Sequence, residues 1–79
     1  MHYVYLLQSH PHPSHHYIGV THDLRSRLAE HNRGKLPTTA HSKPWRLTAY
    51  AAFPDPLRAL AFERYLKSGS GHAFAHKHS

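Results

Sequence analysis

Apolar residues in this 79-residue chain cluster in short runs that predict three strands. Residues 2–8 (HYVYLLQ) are dense in aromatic and aliphatic side chains, which is typical of a central strand covered on both faces. Residues 17–21 (YIGVT) are strand-prone and form the second run. Residues 45–53 (WRLTAYAAF) alternate as a third strand, and the alternation predicts one shared face for Trp45, Leu47, Ala49, Ala51 and Phe53.

Helical spacing predicts two helices between and after these strands. In residues 23–32, Leu24 and Leu28 lie four positions apart and should face the core, with Arg27 and His31 beside them. The second helix begins at Asp55-Pro56, a capping residue followed by a proline at the first helical position, and continues to about residue 67.

The second helix carries apolar residues around much of its circumference, so it should be covered on more than one side. These residues are Leu57, Leu60 and Ala61 on one face and Phe62 with Leu66 on another. Residues 9–16 and 35–44 are polar and rich in proline, which predicts loops. The tail, residues 70–79, could add a helical turn packed through Phe74.

The element order β-β-α-β-α-(α) predicts an α/β (α+β) sandwich in which a three-stranded, mainly antiparallel sheet is flanked by helices. Seventy-nine residues suit one domain, residues 1–79, with a limited core. We find no apolar run of membrane-spanning length and no signal-peptide layout, so we expect a cytoplasmic protein. The absence of cysteine excludes disulfides and thiolate metal sites.

A formal charge of +6, from ten Lys and Arg against four acidic residues, favours a polyanionic partner, with nucleic acid first. The pattern also brings an arginine, a histidine and a strand tyrosine to the edge of the core. Gly19 lies inside the second strand, where a glycine permits close approach to the backbone. These features make the region around Gly19, Arg27 and His31 a candidate catalytic region.

The sequence carries eleven histidines, and several cluster. His10, His12, His15 and His16 share the first loop, and His72 and His76 have helical spacing. Either group could bind Zn²⁺ or Ni²⁺. A proline-rich loop offers no rigid scaffold for four ligands, so we expect adventitious surface affinity; a histidine-based metal buffer is the alternative.

Two separated segments resemble the halves of the GIY-YIG nuclease signature. They are residues 3–5 (YVY), in which Tyr3 replaces the family glycine, and residues 17–19 (YIG). The resemblance continues through T-x-D-L-x-x-R-L-x-x-H-N at residues 21–32 and resumes at Glu63. Residues 67–71 (KSGSG) are similar to the end of a small bacterial subfamily of stand-alone domains.

The resemblance implies a divalent-metal-dependent DNA endonuclease that uses one Mg²⁺ or Mn²⁺ ion. The implied catalytic residues are Tyr5, Tyr17, Arg27, His31 and Glu63, with Glu63 as the metal ligand. We favour Tyr5 as base or water holder and Tyr17 as phosphate contact. The late asparagine of larger members has no counterpart after Asn32, and Lys67 could replace it.

We expect backbone-directed DNA binding, structure-specific or nonspecific, in DNA repair or recombination. The expected contacts are basic residues near the mouth of the site: Arg25, Arg33, Lys35, Lys43 and Lys67. A binding module with weak or absent catalysis is the alternative function. Each site residue also has a structural alternative; Glu63 and Lys67, for instance, have the spacing of a helix-stabilising ion pair.

Overall fold

Strand β1 lies at the centre of the sheet, as its apolar sequence predicts. The computed structural model describes residues 1–68, and the strand order is β2-β1-β3 with both pairings antiparallel. The elements along the chain are β1 His2–Ser9, β2 His16–Thr21, α1 Leu24–Asn32, α2 Pro37–Ala40, β3 Trp45–Phe53 and α3 Pro56–Lys67. The expected last helical turn at residues 70–79 lies outside the described residues.

Helices cover both faces of the sheet, which confirms the predicted sandwich. Side chains alternate along a strand, so β1 contributes to two separate apolar clusters. On the α3 face, Val4 and Leu6 pack with Ile18, Ala59 and Leu66. On the α1 face, the cluster consists of Tyr5, Leu7 and Trp45, with Leu24 and Leu28 among the residues packed against it. The two helix leucines therefore face the core as predicted.

A register shift in β3 overturns the prediction of a single apolar face for that strand. Leu7 pairs with Leu47, but the preceding residue Leu6 pairs with Ala49, so β3 carries one extra residue. An extra residue in one strand reverses the side-chain alternation beyond it. Leu47 consequently packs on the α1 face, whereas Phe53 packs on the α3 face.

Among residues 1–68, helix α3 is covered on one side only, contrary to the prediction of two covered faces. Ala59 and Leu66 are buried and Phe62 packs against the same cluster. Leu57 and Leu60 are 73% and 48% exposed, because the sheet lies on the opposite side of the helix. Arg64, which has the same helical phase as these two leucines, is also exposed.

The segment predicted as a loop, residues 35–44, contains the short helix α2. Pro37 occupies its first position, where proline is pre-set for a helix. The predicted cap of the second long helix is confirmed, because Asp55 accepts from the Leu57 N–H at 2.9 Å. Helix α1 is capped by Asp23, which accepts from the Ser26 N–H at 3.1 Å. Within residues 1–68, no helix is long and apolar enough to cross a membrane.

Asn32 joins the end of α1 to the start of β3. Its amide Nδ2 donates to the Trp45 carbonyl at 3.0 Å, and its Oδ1 accepts from the Trp45 N–H at 2.5 Å. One side chain thus supplies both hydrogen bonds that a neighbouring strand would give to Trp45. This pairing fixes where the third strand begins.

We predict that Asn32→Ala lowers the free energy of unfolding by about 1–3 kcal/mol, because it leaves two backbone groups of Trp45 without partners. Urea unfolding measures the change. Arg25→Ala, an exposed position on the same helix, is the control and should change stability by less than about 0.5 kcal/mol. Equal stability of the two variants would contradict this role for Asn32.

Candidate active site

The Tyr5 hydroxyl lies directly over Gly19. The two residues are paired across β1 and β2, and Tyr5 is only 3% exposed. A Cβ atom built on Gly19 would lie 2.5 Å from the Tyr5 hydroxyl oxygen, a distance that real contacts do not permit. The predicted close approach at Gly19 is therefore confirmed, and the group that approaches is a signature tyrosine.

His31 lies inside the core rather than on the flank of α1, and it is fully buried. The Tyr5 hydroxyl and His31 Nε2 share a hydrogen bond of 3.0 Å. On the other side of the ring, His31 Nδ1 is 2.8 Å from Oγ1 of Thr39, which is also buried. Three side chains from β1, α1 and α2 therefore form one hydrogen-bonded chain.

The partners of Thr39 favour one tautomer of His31. The Thr39 hydroxyl donates to the Leu36 carbonyl at 3.4 Å, so its oxygen is left to accept the proton from His31 Nδ1. A neutral imidazole with its proton on Nδ1 has a lone pair on Nε2. His31 Nε2 therefore accepts the hydrogen bond that the Tyr5 hydroxyl donates.

Thr39 is a site residue that sequence reasoning missed. Its segment, residues 35–44, contains several hydroxyl side chains and no periodic pattern that distinguishes one of them. Only the position of α2 against α1 selects Thr39.

Burial keeps the two titratable members of this chain, Tyr5 and His31, neutral. Burial, followed by the nearby Tyr17, raises the pKa of the Tyr5 phenol, and the Arg27 charge opposes that rise. Burial also lowers the pKa of His31, and Arg27 lowers it further. At neutral pH the pair is therefore a protonated phenol beside an imidazole that can accept its proton.

Tyr17 and Arg27 complete the cluster around His31. The Tyr17 ring centroid lies 4.9 Å from that of His31 and 6.1 Å from that of Tyr5. Arg27 Nη1 is 3.8 Å from Glu30 Oε1, and 37% of its side chain is exposed. The guanidinium can therefore reach solvent while its charge acts on both Tyr5 and His31.

Glu63 extends the site to α3. Its charge acts on Tyr5, and its side chain is 21% exposed. Glu63 Oε2 accepts a hydrogen bond from Lys67 Nζ at 3.0 Å, which is the helix-stabilising pair named above as an alternative. A half-buried carboxylate that still reaches solvent fits a hard cation such as Mg²⁺, which keeps several waters and needs few protein ligands.

Comparison with known proteins agrees with this geometry. The family model described as the GIY-YIG catalytic domain matches residues 1–75. The chain belongs to the GIY-YIG family. Of the residues that the family resemblance implies, Tyr5, Tyr17 and His31 lie together. The charges of Arg27 and Glu63 act on Tyr5, and the catalytic role of the five residues stays a prediction.

The chain is similar to two proteins named structure-specific endonuclease subunit SLX1. It is 42% identical to the one from Scheffersomyces stipitis, with 95% of this chain and 22% of that protein covered. It is 35% identical to the one from Candida dubliniensis, with 95% of this chain and 27% of that protein covered. The chain therefore spans about a quarter of the length of these relatives. A UPF0213 protein from Lacticaseibacillus paracasei is 40% identical over 71% of this chain and 64% of its own length.

The predicted DNA-binding residues of this GIY-YIG domain lie on its surface. Arg25, Arg33, Lys35 and Lys43 are exposed, and their contribution to DNA binding stays a prediction. Lys67 is exposed too, and its ammonium is engaged with Glu63.

The histidine-rich loop does not assemble a ligand set. The rings of His12 and His15 are 5.1 Å apart. Among residues 1–68, however, no three His, Cys, Asp or Glu side chains are placed to hold a metal ion. His72 and His76 lie outside the described residues. The described part of the chain therefore gives the metal-buffer alternative no structural support.

We predict that burial of His31 makes folding stability fall as pH drops below about 6.5. The folded-state pKa of His31 lies below its unfolded value, so the unfolded chain binds the extra proton first. The contribution is fully present above the unfolded pKa and is lost as pH falls towards the folded one. Urea unfolding at a series of pH values should show a shallower acid slope for His31→Gln than for the wild type. His41→Gln, at an exposed histidine, is the control; a slope altered equally by both variants would contradict the assignment.

Proposed function

We propose that this domain is a divalent-metal-dependent endonuclease that hydrolyses DNA phosphodiester bonds. The observation that supports the proposal most strongly is the buried hydrogen bond from the Tyr5 hydroxyl to His31 Nε2, with Arg27 and Glu63 acting on the same tyrosine. Hydrolysis needs a group that takes a proton from water and positive charge for the phosphoryl oxygens. Both requirements can be assigned to named side chains.

In the proposed mechanism, Tyr5 acts as the base through His31. As water attacks phosphorus, its proton passes to the Tyr5 oxygen, and the phenolic proton passes to His31 Nε2. Free phenolate is not required, which matters because burial raises the pKa of Tyr5. His31 must begin neutral, and its lowered pKa favours that state.

The other polar side chains of the site would then contact the phosphate group, either directly or through a metal ion. The Arg27 guanidinium is a forked, permanently charged donor suited to two phosphoryl oxygens. Tyr17 offers a hydroxyl beside it as a phosphate contact. Glu63 would hold Mg²⁺ or Mn²⁺, which when bound would polarise a phosphoryl oxygen and stabilise the leaving oxygen.

We further propose a structure-specific or nonspecific cleavage preference and a setting in DNA repair or recombination. The formal charge of +6 supports binding through backbone phosphates. The names of the SLX1 relatives support structure specificity, because both are called structure-specific endonuclease subunits.

The alternative is a DNA-binding module with weak or absent catalysis. One observation favours it: Lys67 Nζ lies 3.0 Å from Glu63 Oε2, so an ammonium group already occupies one oxygen of the metal-binding carboxylate. A metal ion would have to compete with this lysine or share the carboxylate with it.

We predict that Glu63→Gln abolishes metal-dependent cleavage of plasmid, single-stranded and branched DNA. DNA binding should persist or strengthen, because a negative charge near phosphate is removed while the side chain keeps its size. Metal binding can be measured independently of activity by titration with Mn²⁺. Resonances near position 63 should broaden in the wild type and should not broaden in Glu63→Gln. Arg27→Ala should abolish cleavage and weaken binding.

The matched control is Asp55→Asn, which removes the same charge from the exposed start of α3 and keeps a capping side chain. It should cut like the wild type. The endonuclease proposal fails if the wild type cuts no DNA form with Mg²⁺ or Mn²⁺, or if Glu63→Gln cuts equally well. Binding without cleavage would instead favour the binding module.

We predict that Thr39→Val slows cleavage by about tenfold or more at saturating DNA, because the tautomer of His31 is no longer fixed. Thr39→Ser keeps the acceptor oxygen and should retain activity within a few-fold. The nitrogen chemical shifts of His31 report which ring nitrogen carries the proton. An unchanged tautomer in Thr39→Val would contradict the assigned role, whatever happens to the rate.

A further inference from the structure

A cleft of about 360 Å³ opens beside the signature tyrosine Tyr17, between the β1–β2 loop and helix α2. The loop side contributes Ser14 and His15, and the other side contributes Thr38 and Ser42. Tyr17 lines the cleft and also packs against His31, so the cleft lies next to the candidate active site. Apart from Tyr17, none of the predicted catalytic residues or basic contacts among residues 1–68 lines this cleft.

Both walls of the cleft are tied to the body of the domain. Ser42 Oγ and His15 Nδ1 share a hydrogen bond of 3.0 Å, and the Ser42 carbonyl accepts from the Ser9 hydroxyl at 2.5 Å. On the α2 side, Trp45 Nε1 donates to the Thr39 carbonyl at 2.9 Å. Hydrogen bonds within the domain therefore hold both walls of the cleft in place, which reduces the entropy that binding would cost.

The side chains that line the cleft indicate which chemical group it would bind. It combines hydroxyl groups and imidazoles with the rings of Tyr17 and Trp45, and among the described residues it includes no carboxylate. Serine and threonine hydroxyls are common donors to phosphate oxygens in nucleic-acid complexes. A hydroxyl-rich cleft in a chain of net charge +6 suits one phosphodiester group of a strand that is already held electrostatically.

We propose that this cleft binds the phosphodiester group next to the scissile one on the same DNA strand, with Thr38 and Ser14 as donors. The inference rests on the proposed function, which places the scissile phosphate at Tyr5, Tyr17 and Arg27. Because one ring, Tyr17, separates the two sites, consecutive phosphates of a strand can occupy both. The cleft then positions the strand and takes no part in bond breaking.

The test compares a thymidine trinucleotide, which has two phosphodiesters, with the same molecule carrying one neutral methylphosphonate. Affinities are measured by NMR titration without divalent ions, so no cleavage is needed. Wild-type protein should bind the doubly charged ligand about tenfold more tightly. The Thr38 methyl and Trp45 indole resonances should shift with it, because both residues line the cleft.

The double variant Thr38→Val with Ser14→Ala removes two hydroxyls from exposed positions and should lose this preference, binding both ligands alike. Thr38→Ser keeps the hydroxyl and should retain the preference, as should Ser26→Ala, an exposed position on α1 outside the cleft. The proposal is overturned if the double variant discriminates as the wild type does, or if the Thr38 and Trp45 resonances do not respond. Failure of wild-type DNA cleavage would overturn the endonuclease proposal, whereas phosphodiester binding in the cleft would stand or fall on the trinucleotide comparison.

Discussion

A buried chain of hydrogen bonds, from Tyr5 through His31 to Thr39, constrains the α1 side of this domain. A buried polar group without a partner costs about 1–3 kcal/mol, so the three side chains are tolerated in the apolar layer only together. Each member comes from a different element, and each distance lies between 2.8 and 3.0 Å. This hydrogen-bonded chain of side chains, which would supply the proposed proton relay, also fixes β1, α1 and α2 relative to one another.

The rest of the structure supports this chain at both ends. At one end Gly19 leaves room for the Tyr5 hydroxyl, since any side chain there would displace it. At the other end, α2 is placed by the Trp45 indole, which donates to the Thr39 carbonyl. Trp45 is in turn positioned by Asn32. Residues that never meet a substrate thereby set the geometry of those proposed to do so.

The candidate site draws on both layers of the sandwich. Tyr5 belongs to the cluster on the α1 face, whereas Glu63 comes from α3, which packs on the opposite face of the sheet. Their charges nevertheless interact, and Glu63 raises the pKa of Tyr5 as burial does. An acid held at a distance from the proton relay can serve a cation without competing for the relay's hydrogen bonds. The proposed mechanism uses the two groups separately: Tyr5 would accept the proton of water, and Glu63 would hold the metal ion.

The sequence alone determined the three strands and the two longer helices, because each of these was encoded by local signals. The three strands follow from apolar runs, and the starts of α1 and α3 follow from Asp23 and Asp55, whose carboxylates accept neighbouring N–H groups. The signature also predicted that Tyr5, Tyr17 and His31 lie together, since the order and spacing of these residues are properties of the sequence. The glycine at position 19 predicted a close approach, although not the group that makes it.

Tertiary structure decided what depends on residues distant in sequence. The extra residue in β3 moved Phe53 to the other face of the sheet, which strict alternation could not reveal. Leu57 and Leu60 remained exposed because the sheet covers one side of α3, and helical periodicity does not say how many sides are covered. Thr39 became the partner of His31 only when α2 packed beside α1. Local patterns specify elements, but hydrogen-bond partners and burial are fixed by which surfaces those elements bring together.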